Sequence, residues 1–416
     1  MFLPVPPWIV KGIRQWRIYH DFHGQKFRVL HRQLPLLSAE TINGLRTKAL
    51  RYLEHLRIDG GGYGRYRYSD GTGPPLLYAS VFAVLLRHLL GDVDQLTSKE
   101  RDEWVDHIRS YQCEDGLFRD PLVMNEIAET EDWWGWRHLT FHTLMALHAL
   151  ESQPKYRLSF LEEVDTPSKV RRWLDTLDWN SRVSFTSSTV QNYGAALQYA
   201  RDFMGETWLK DAVKELIAGV AERCRPNTGL WGNGFKTGRV ALSEGVLAGY
   251  HFWLLFWYDG EEIPFAERAF ESILKLQNRM GGFSLTQLYT TACQDIDALD
   301  PVVRLALRHP ELKAKAYEPV CRAVRWILYN FNQDGGATFQ RNAGFIYGHE
   351  FMCSGPNQST IFATWFRLLS IGVGCKFLQT TDQDFEQIRW QFLDAPGLQF
   401  QPLGGWEEQL CQKTMN

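Results

Sequence analysis

One short pattern recurs through most of this 416-residue chain and limits the folds open to it. An amphipathic segment ends in a polar turn that contains glycine and closes on an aromatic residue, and a second, more apolar segment follows. The clearest turns lie at 112–118, 227–231, 277–283 and 332–339, with further copies at 59–63, 178–185 and 394–400. The spacing of roughly 45–70 residues is the length of a helical pair with its loops. A fold built from repeated helical hairpins is therefore predicted.

The two segments of each unit differ in hydrophobic pattern. The first has apolar residues at three- and four-residue spacing, and several copies open with a capping residue such as Ser38, Thr97 or Thr166. The second is apolar almost all round, as expected of a helix surrounded by others. Predicted first helices cover 38–56, 98–111, 168–177, 207–223, 264–276, 317–331 and 382–393; predicted second helices cover 75–90, 136–150, 189–203, 242–257, 290–308 and 358–369.

Paired helices repeated six or seven times form either an open solenoid or a closed ring. The apolar second helices, together with a seventh first helix able to close the circle, favour the ring. The prediction is an all-α fold, an α/α toroid (barrel) of six to seven helical hairpins whose second helices line a central cavity. Residues 38–416 form this single domain, and residues 1–37 form an N-terminal arm rich in basic and aromatic residues.

Composition excludes several classes of function. The formal net charge of -3 argues against general nucleic-acid binding. The seven cysteines are scattered without metal-site spacing, which indicates a reducing compartment and a cytoplasmic protein. No apolar run reaches the roughly 20 residues that span a bilayer. For the basic N-terminal segment two interpretations fit: an arm packed across the domain, which we favour, and a peripheral membrane contact through residues 1–32.

Two of the turns carry a resemblance to a known superfamily. Gln277-x-x-x-Gly-Gly-Phe and Gln333-Asp-Gly-Gly, each after an amphipathic helix, resemble the QW-type repeats of terpenoid cyclases and protein prenyltransferases. The resemblance covers the chain from about residue 38 as repeats. It implies the toroid fold and an enzyme that performs acid-initiated chemistry on an isoprenoid-like apolar substrate. Class II cyclases place their active site between two toroids, so a single toroid implies a homodimer or a departure from that architecture.

The leading catalytic candidates are Asp295 and Asp297 in the fifth second helix. Close carboxylates in an apolar cavity cannot all ionise, so one is expected to keep its proton and to serve as an acid. The pair resembles the Asp-x-Asp-Asp motif of squalene–hopene-type cyclases, with Ala298 in place of the last aspartate. This resemblance implies that Asp297 is the proton donor and Asp295 its partner. The alternative is that both acids only favour the helix dipole.

Polar residues also occur near the start of each of the other second helices, where apolar ones would otherwise be expected. Their convergence on one rim of a toroid predicts a pocket. The predicted substrate-binding residues are His138, His142, Trp136, Arg137, Asn192, Tyr193, Glu244, His251 and Gln358. His138 and His142 lie one helical turn apart, which suits a metal pair, but no third ligand is evident. We therefore predict no metal and no cofactor.

Two other classes of function stay open. Arg137, His138, Asn192 and Tyr193 also suit a carbohydrate-active α/α toroid, either a polysaccharide lyase or a glycoside hydrolase. A non-catalytic binding toroid with a filled centre is the third. The predicted partner is accordingly a small apolar molecule or a glycan. A deep aromatic cavity favours the first class, an open groove with Arg, His and Tyr the second, and a filled centre the third.

Overall fold

The computed structural model describes residues 30, 32–70, 73–123, 126–232, 239–285 and 287–397. Within these residues twelve α-helices alternate between amphipathic and buried, as the hydrophobic patterns predict. The odd-numbered helices form the outer layer: α1 Ala39–Leu56, α3 Ser98–Arg109, α5 Pro167–Thr176, α7 Lys210–Glu222, α9 Ala266–Leu274 and α11 Pro310–Tyr329. The even-numbered helices form the inner layer: α2 Leu77–Leu89, α4 Trp136–Ala149, α6 Val183–Phe203, α8 Arg239–Tyr258, α10 Ala292–Arg308 and α12 Ile361–Leu378.

The inner helices form a closed ring. Each one packs against the next inner helix along the chain, and α12 packs against α2, so the last unit meets the first. The burial of the two layers follows from this arrangement. All residues of α12 except Lys376 are buried, whereas α9 buries only Ala269, Phe270, Ser272 and Ile273. The protein is therefore an α/α toroid of six helical hairpins.

The glycine turns join neighbouring units. In the turn at 277–283, the Gln277 amide donates to the carbonyls of Gly281 and of Pro319 in α11, the next outer helix. Gly281 has a φ of 112°, and a Cβ placed there would lie 2.2 Å from the Arg322 carbonyl oxygen of α11. Gln112 makes the equivalent pair of bonds to Gly116 and Tyr156. In these two turns the glutamine and glycine thus hold one hairpin against the next.

One predicted helix is absent. Residues 382–393 contain only a single 3-10 turn, Gln383–Phe385, and then run without regular structure along the inner ring, where Gln391 donates its backbone N–H to the Leu89 carbonyl. The prediction of a seventh outer helix was wrong because the ring already closes through α12 and α2. The segment instead places Trp390 against Gly372 of α12.

The N-terminal prediction lies mostly outside the described residues. Of its final part, Leu30 is buried against Met280 and Trp326, and Arg325 of α11 donates to the Pro35 carbonyl. Within the described residues only α12 is long and apolar enough to span a membrane. Since 94% of its span is buried in the ring, this helix has the character of a core helix.

A short hairpin covers one side of the ring. Its strands, β1 (Phe345–Ile346) and β2 (Cys353–Ser354), pair antiparallel with Phe345 opposite Ser354. Ile346 is 61% exposed, whereas Phe345 and Tyr347 on either side of it face inward. This alternation is the normal geometry of an extended chain.

Candidate functional site

A cavity of about 360 Å³ lies at the centre of the toroid. Five of the six inner helices line it, with additional residues from the hairpin and from the segments that precede α4 and β1. Its wall contains seven aromatic side chains, one leucine and eight side chains that are polar or carry a thiol. The lining residues are Trp133, His138, His142, Ser184, Phe185, Ser188, Gln191, Leu247, His251, Cys293, Asp297, Phe339, Phe345, Tyr347, Phe362 and Phe366.

Asp297 is the carboxyl group of this cavity. It lies one helical turn after Cys293 on α10, and both side chains line the wall. Asp297 is 2% exposed, and among the described residues its carboxyl group has no hydrogen-bond partner or ion pair. Burial, followed by the charges of Asp300 and Asp295, raises the pKa of Asp297 well above its ordinary value. A carboxyl group in this environment favours its protonated form and can donate a proton.

Asp295, the predicted partner of Asp297, has a different environment. Side chains two positions apart in an α-helix point to nearly opposite sides. Asp295 therefore faces away from the cavity when Asp297 faces into it. Its carboxylate accepts from Thr290, from the backbone N–H of Phe283 and from Arg367 at 3.0 Å. Burial raises the pKa of Asp295, while the Arg367 charge and the Thr290 hydrogen bond oppose the rise.

Asp300 is also buried, but it is paired. Its carboxylate accepts from Arg304 at 2.8 Å, one helical turn further along α10. Burial raises the pKa of Asp300 to about 6, against the effect of Arg304. Three acidic side chains of one helix therefore have separate roles, because two are bound by arginine and only Asp297 is left to the cavity.

His138 lies on the wall opposite Asp297. In the ring order α2, α4, α6, α8, α10, α12, helix α4 is diametrically opposite α10. His138 contacts Asn192 through Nδ1 (3.2 Å) and the Tyr347 hydroxyl through Nε2 (2.9 Å). Burial lowers the pKa of His138 to about 4, although its bond to Asn192 acts in the other direction. Its imidazole is therefore neutral near pH 7.

Three further polar side chains face the cavity with unused hydrogen-bonding capacity. His142 donates from Nδ1 to the His138 carbonyl, and its buried Nε2 has no partner among the described residues. Gln191 is 0% exposed, and both ends of its amide lack a partner there. His251 contacts Ser187 through Nδ1, and burial lowers its pKa to about 3. Neutral imidazoles and an amide thus surround the cavity.

Four predicted site residues lie away from the cavity wall. Trp136 is buried in the core, and Arg137 pairs with Asp132 at 2.6 Å. Both lie on the far side of α4, since His138 and His142 occupy its inner face. Tyr193 points outward to bond Glu163. Gln358 lies in the loop before α12 and donates to the Asp70 carbonyl.

Two other predicted site residues, Asn192 and Glu244, do not line the cavity but bond to residues that do. Asn192 reaches across from α6 to His138, and its amide donates to the Asp132 carbonyl at 2.8 Å. Glu244 accepts from the hydroxyl of Ser184, which lines the cavity. Glu244 and Asn192 therefore orient lining groups. Among the described residues no group of three His, Cys, Asp or Glu side chains is arranged to hold a metal ion.

Sequence reasoning missed Tyr347, Phe345 and Phe339, because it searched only the starts of the inner helices. These residues reach the cavity from the β1–β2 hairpin and the turn before it. A signal was present: Phe345-Ile-Tyr347 lies between Gly344 and Gly348, so two aromatic residues share one face of an extended segment. Ser184, Ser188 and Phe185 were missed because α6 begins at Val183, six residues before the predicted start.

Comparisons with known proteins found only a remote likeness to solved structures. No protein-family profile and no curated protein sequence matches this chain. Among solved structures, an unsaturated glucuronyl hydrolase mutant from Streptococcus agalactiae is 11% identical, with a TM-score of 0.47 over 82% of this chain and 92% of that one. Possible members of the GH105 family from Klebsiella pneumoniae and Salmonella enterica are also 11% identical.

The Klebsiella protein has a TM-score of 0.40 over 83% of this chain and 95% of its own. For the Salmonella protein the TM-score is 0.37 over 80% and 93%. At this identity the likeness concerns the fold alone, an α/α toroid. These comparisons do not show the predicted relationship to terpenoid cyclases.

Proposed function

We propose that this protein is a carbohydrate-active hydrolase that binds an uncharged sugar ring in the central cavity and uses Asp297 as its general acid. The observation that carries the proposal is Gln191. Its amide is fully buried in the wall of an aromatic cavity, and neither end has a partner among the described residues. A buried amide or imidazole left unpaired costs about 1–3 kcal/mol.

A hydroxylated substrate satisfies this wall better than a hydrocarbon does. Sugar hydroxyls both donate and accept, so one ring could bond the Gln191 amide and the Nε2 atoms of His142 and His251. An isoprenoid chain would leave these groups unpaired. The aromatic side chains fit the same interpretation, since rings such as Trp133 offer flat apolar surfaces to the faces of a sugar.

The absence of cationic side chains argues for an uncharged sugar. Among the described lining residues there is no lysine or arginine, and burial lowers the pKa of His138, His142 and His251. A uronate carboxylate would meet the acid Asp297 without a compensating positive charge. The preferred substrate therefore differs in charge from a glucuronyl group.

Asp297 would act on the glycosidic oxygen. A protonated carboxyl group buried in an aromatic cavity is suited to transfer its proton to a leaving oxygen as the carbon–oxygen bond breaks. Glycosidases ordinarily use a second carboxylate, about 5–9.5 Å away. Asp295 and Asp300 are bound to Arg367 and Arg304, so neither supplies one. The remaining mechanism is direct attack by water on the face of the sugar opposite Asp297.

A second candidate function rests on a specific observation. Seven aromatic side chains line the cavity, and aromatic faces stabilise carbocations. Acid-initiated chemistry on an isoprenoid-like substrate is therefore the alternative. The non-catalytic toroid with a filled centre does not fit, because the centre contains an open cavity.

The test is a substrate panel with matched variants. Wild-type protein would be assayed against 4-nitrophenyl glycosides of neutral sugars, 4-nitrophenyl glucuronide and polyprenyl substrates. We expect turnover of at least one neutral glycoside. Asp297→Asn should lower kcat by about 10²–10⁴-fold, the usual contribution of a general acid. The surface variant Asp384→Asn is the matched control and should behave as wild type.

A second variant tests the substrate class. Gln191→Leu has nearly the same shape but no hydrogen-bonding atoms. We expect it to weaken binding of the neutral glycoside by about 1–3 kcal/mol, measured as an increase in KM or in a calorimetric Kd. Turnover of polyprenyl substrates alone would favour the alternative function, and full activity of Asp297→Asn would overturn the role of Asp297.

A further inference from the structure

We propose that Tyr347 and His138 form the proton-accepting pair of the cavity, which activates the attacking water on the wall opposite Asp297 and makes the hydrolysis stereochemically inverting. This inference rests on the proposed function and adds the second half of the reaction. It concerns Tyr347–His138–Asn192, named here the relay.

The direction of every proton in the relay follows from one carbonyl group. The Asp132 backbone oxygen can only accept, so the Asn192 group facing it at 2.8 Å is the amide nitrogen. The Asn192 oxygen then faces His138 and accepts from Nδ1–H. With the proton on Nδ1, the neutral imidazole has a lone pair on Nε2, and the Tyr347 hydroxyl donates to it at 2.9 Å.

Neighbouring hydrogen bonds fix the position of the Asp132 carbonyl, which sets the orientation of the Asn192 amide in the relay. The Asp132 side chain pairs with Arg137 through Nε, and Arg137 also donates to the Glu129 carbonyl. These bonds fix the segment before α4, which carries both the Asp132 carbonyl and the cavity residue Trp133. Arg137 therefore has a positioning role, although it does not reach the cavity.

Tyr347 is held where it can contact a water molecule in the cavity. It is 4% exposed, lines the cavity, and its ring packs on Phe362 at 4.7 Å and edge-on to Tyr78 at 5.3 Å. The Tyr78 hydroxyl donates to the Trp134 carbonyl at 2.6 Å, so its proton is already committed. The Tyr347 oxygen, whose own proton is directed to His138, keeps lone pairs to accept a proton from water.

The proposed step balances in atoms and charge. The oxygen of water bonds to the anomeric carbon, while the glycosidic bond breaks and its oxygen takes the Asp297 proton. One water proton passes to the Tyr347 oxygen as the tyrosine proton passes to Nε2 of His138. The imidazolium then returns its proton to the Asp297 carboxylate through solvent. The net reaction is glycoside plus water to two hydroxyl products, and no phenolate accumulates.

Placement on opposite walls has a stereochemical consequence. Because α4 and α10 face each other across the ring, the acid and the relay meet opposite faces of a bound sugar. A water activated opposite to the protonated leaving group displaces it in line and inverts the anomeric centre. The described lining residues hold no carboxylate apart from Asp297 that could serve as the nucleophile of the usual retaining mechanism.

The experiment uses the full chain and the 4-nitrophenyl glycoside identified in the substrate panel. Tyr347→Phe keeps the ring but removes the hydroxyl, and we expect kcat to fall by about 10²–10⁴-fold. Tyr199→Phe is the matched control, since it removes another buried hydroxyl that does not line the cavity. The anomer formed first, observed by proton NMR, should be inverted.

A readout specific to the relay comes from Asn192→Asp. The titratable or charged side chains around His138 and its partner Tyr347 include His142, His251, Asp132 and Tyr78. Wild-type kcat/KM should fall below about pH 4, where His138 gains a proton and can no longer accept one. A carboxylate beside Nδ1 raises the pKa of His138. The fall of kcat/KM at low pH, which is the acidic limb of the pH profile, should therefore move to higher pH. A purely structural role for Asn192 would change the rate without moving the limb.

The outcomes separate the inference from the function on which it rests. If wild-type protein hydrolyses no neutral glycoside, the proposed function fails and the relay fails with it. If wild type is active but Tyr347→Phe keeps most of its activity while remaining folded by circular dichroism, the relay alone is overturned. Retention of the anomeric configuration would also overturn it. Loss of activity with inversion and a shifted limb in Asn192→Asp supports it.

Discussion

Asp297 and Asp295 show how strongly the role of a residue depends on its side of a helix. The two are separated by one residue and are equally buried, at 2% and 1% exposure. Asp295 meets an arginine, a threonine hydroxyl and a backbone N–H, whereas Asp297 meets only the cavity. Asp297 is consequently the less stabilising of the two, and it is the one that we propose as the general acid.

This difference predicts that Asp297→Asn stabilises the protein at high pH. The pKa of Asp297 is raised in the folded state above its ordinary 3.8, so the folded protein keeps a proton that the unfolded chain loses. Stability therefore falls as pH rises through this window, and an uncharged asparagine abolishes this contribution. We expect Asp297→Asn to be more stable by about 1–3 kcal/mol at pH 8, with a smaller difference near pH 4.

Urea unfolding of wild type and Asp297→Asn at pH 4 and pH 8 measures this difference in the free energy of unfolding. The contributions of the other acidic groups are the same in both proteins and cancel. Asp384→Asn on the surface should change the free energy of unfolding by no more than about 0.5 kcal/mol. An Asp297→Asn protein that is less stable than wild type at pH 8 would show that the carboxylate is favourably paired in the fold.

At the scale of elements, one arginine joins two inner helices to two turns. Arg367 of α12 is 0% exposed, and besides Asp295 it donates to the carbonyls of Thr290, Thr338 and Phe339. Asp295 in turn accepts from the backbone of the glycine turn at Phe283. The pair thus fixes α10, and with it the direction of Asp297, relative to α12.

Breaking this pair should be strongly destabilising. Arg367→Leu leaves the Asp295 carboxylate buried without its cation, and we expect a loss of about 3–5 kcal/mol, measured by denaturant unfolding. The double variant Asp295→Leu/Arg367→Leu should recover part of the loss, because no buried charge remains. The exposed pair Arg268–Glu271 is the control, and Arg268→Ala should cost at most about 1 kcal/mol. A small effect of Arg367→Leu would contradict the structural role assigned to it.

At the scale of the whole molecule, closure of the ring removes the free ends that a solenoid would have. Among the contacts that close it, α12 packs against α2, and the glycine turn at 332–339 packs against the first outer helix. In that turn Gly335 has a φ of 92°, and a Cβ placed there would lie 2.3 Å from the Lys48 carbonyl oxygen of α1. The backbones of the turn at 332–339 and of α1 are therefore close together.

Closure predicts that Gly335→Ala destabilises the whole molecule. The added Cβ meets a backbone atom, and the left-handed conformation is unfavourable for alanine, so we expect a loss of about 1–3 kcal/mol. Gly44→Ala is the opposite case, since a Cβ at that position of α1 meets nothing within 4 Å. It should stabilise by up to about 1 kcal/mol, as glycine is a poor helix former. Thermal unfolding of both variants tests the contrast, and equal effects would argue against closure through Gly335.

The periodic parts of the sequence determined the fold. Apolar residues at helical spacing, capping residues such as Thr97 and the recurring glycine turns act within one or two turns of chain, so they predicted all twelve described helices. However, α6 begins six and α11 seven residues before the predicted start, and α12 ends nine residues after the predicted end. The same local rules overextended at 382–393, where a helical pattern exists but the ring leaves no place for another outer helix. They also placed Asp297, His138 and His142 on inner helices.

Tertiary structure alone decided which side chains share the cavity. The direction of a side chain depends on the rotation of its helix about its own axis, and packing against two neighbours sets that rotation. This is why Asp295, Arg137 and Tyr193 turn away while Gln191 turns in. Tyr347 meets His138 across a separation of 209 residues, through a hairpin too short to leave a clear local pattern. Contacts between distant segments belong to the closed ring, and no local stretch of sequence encodes them.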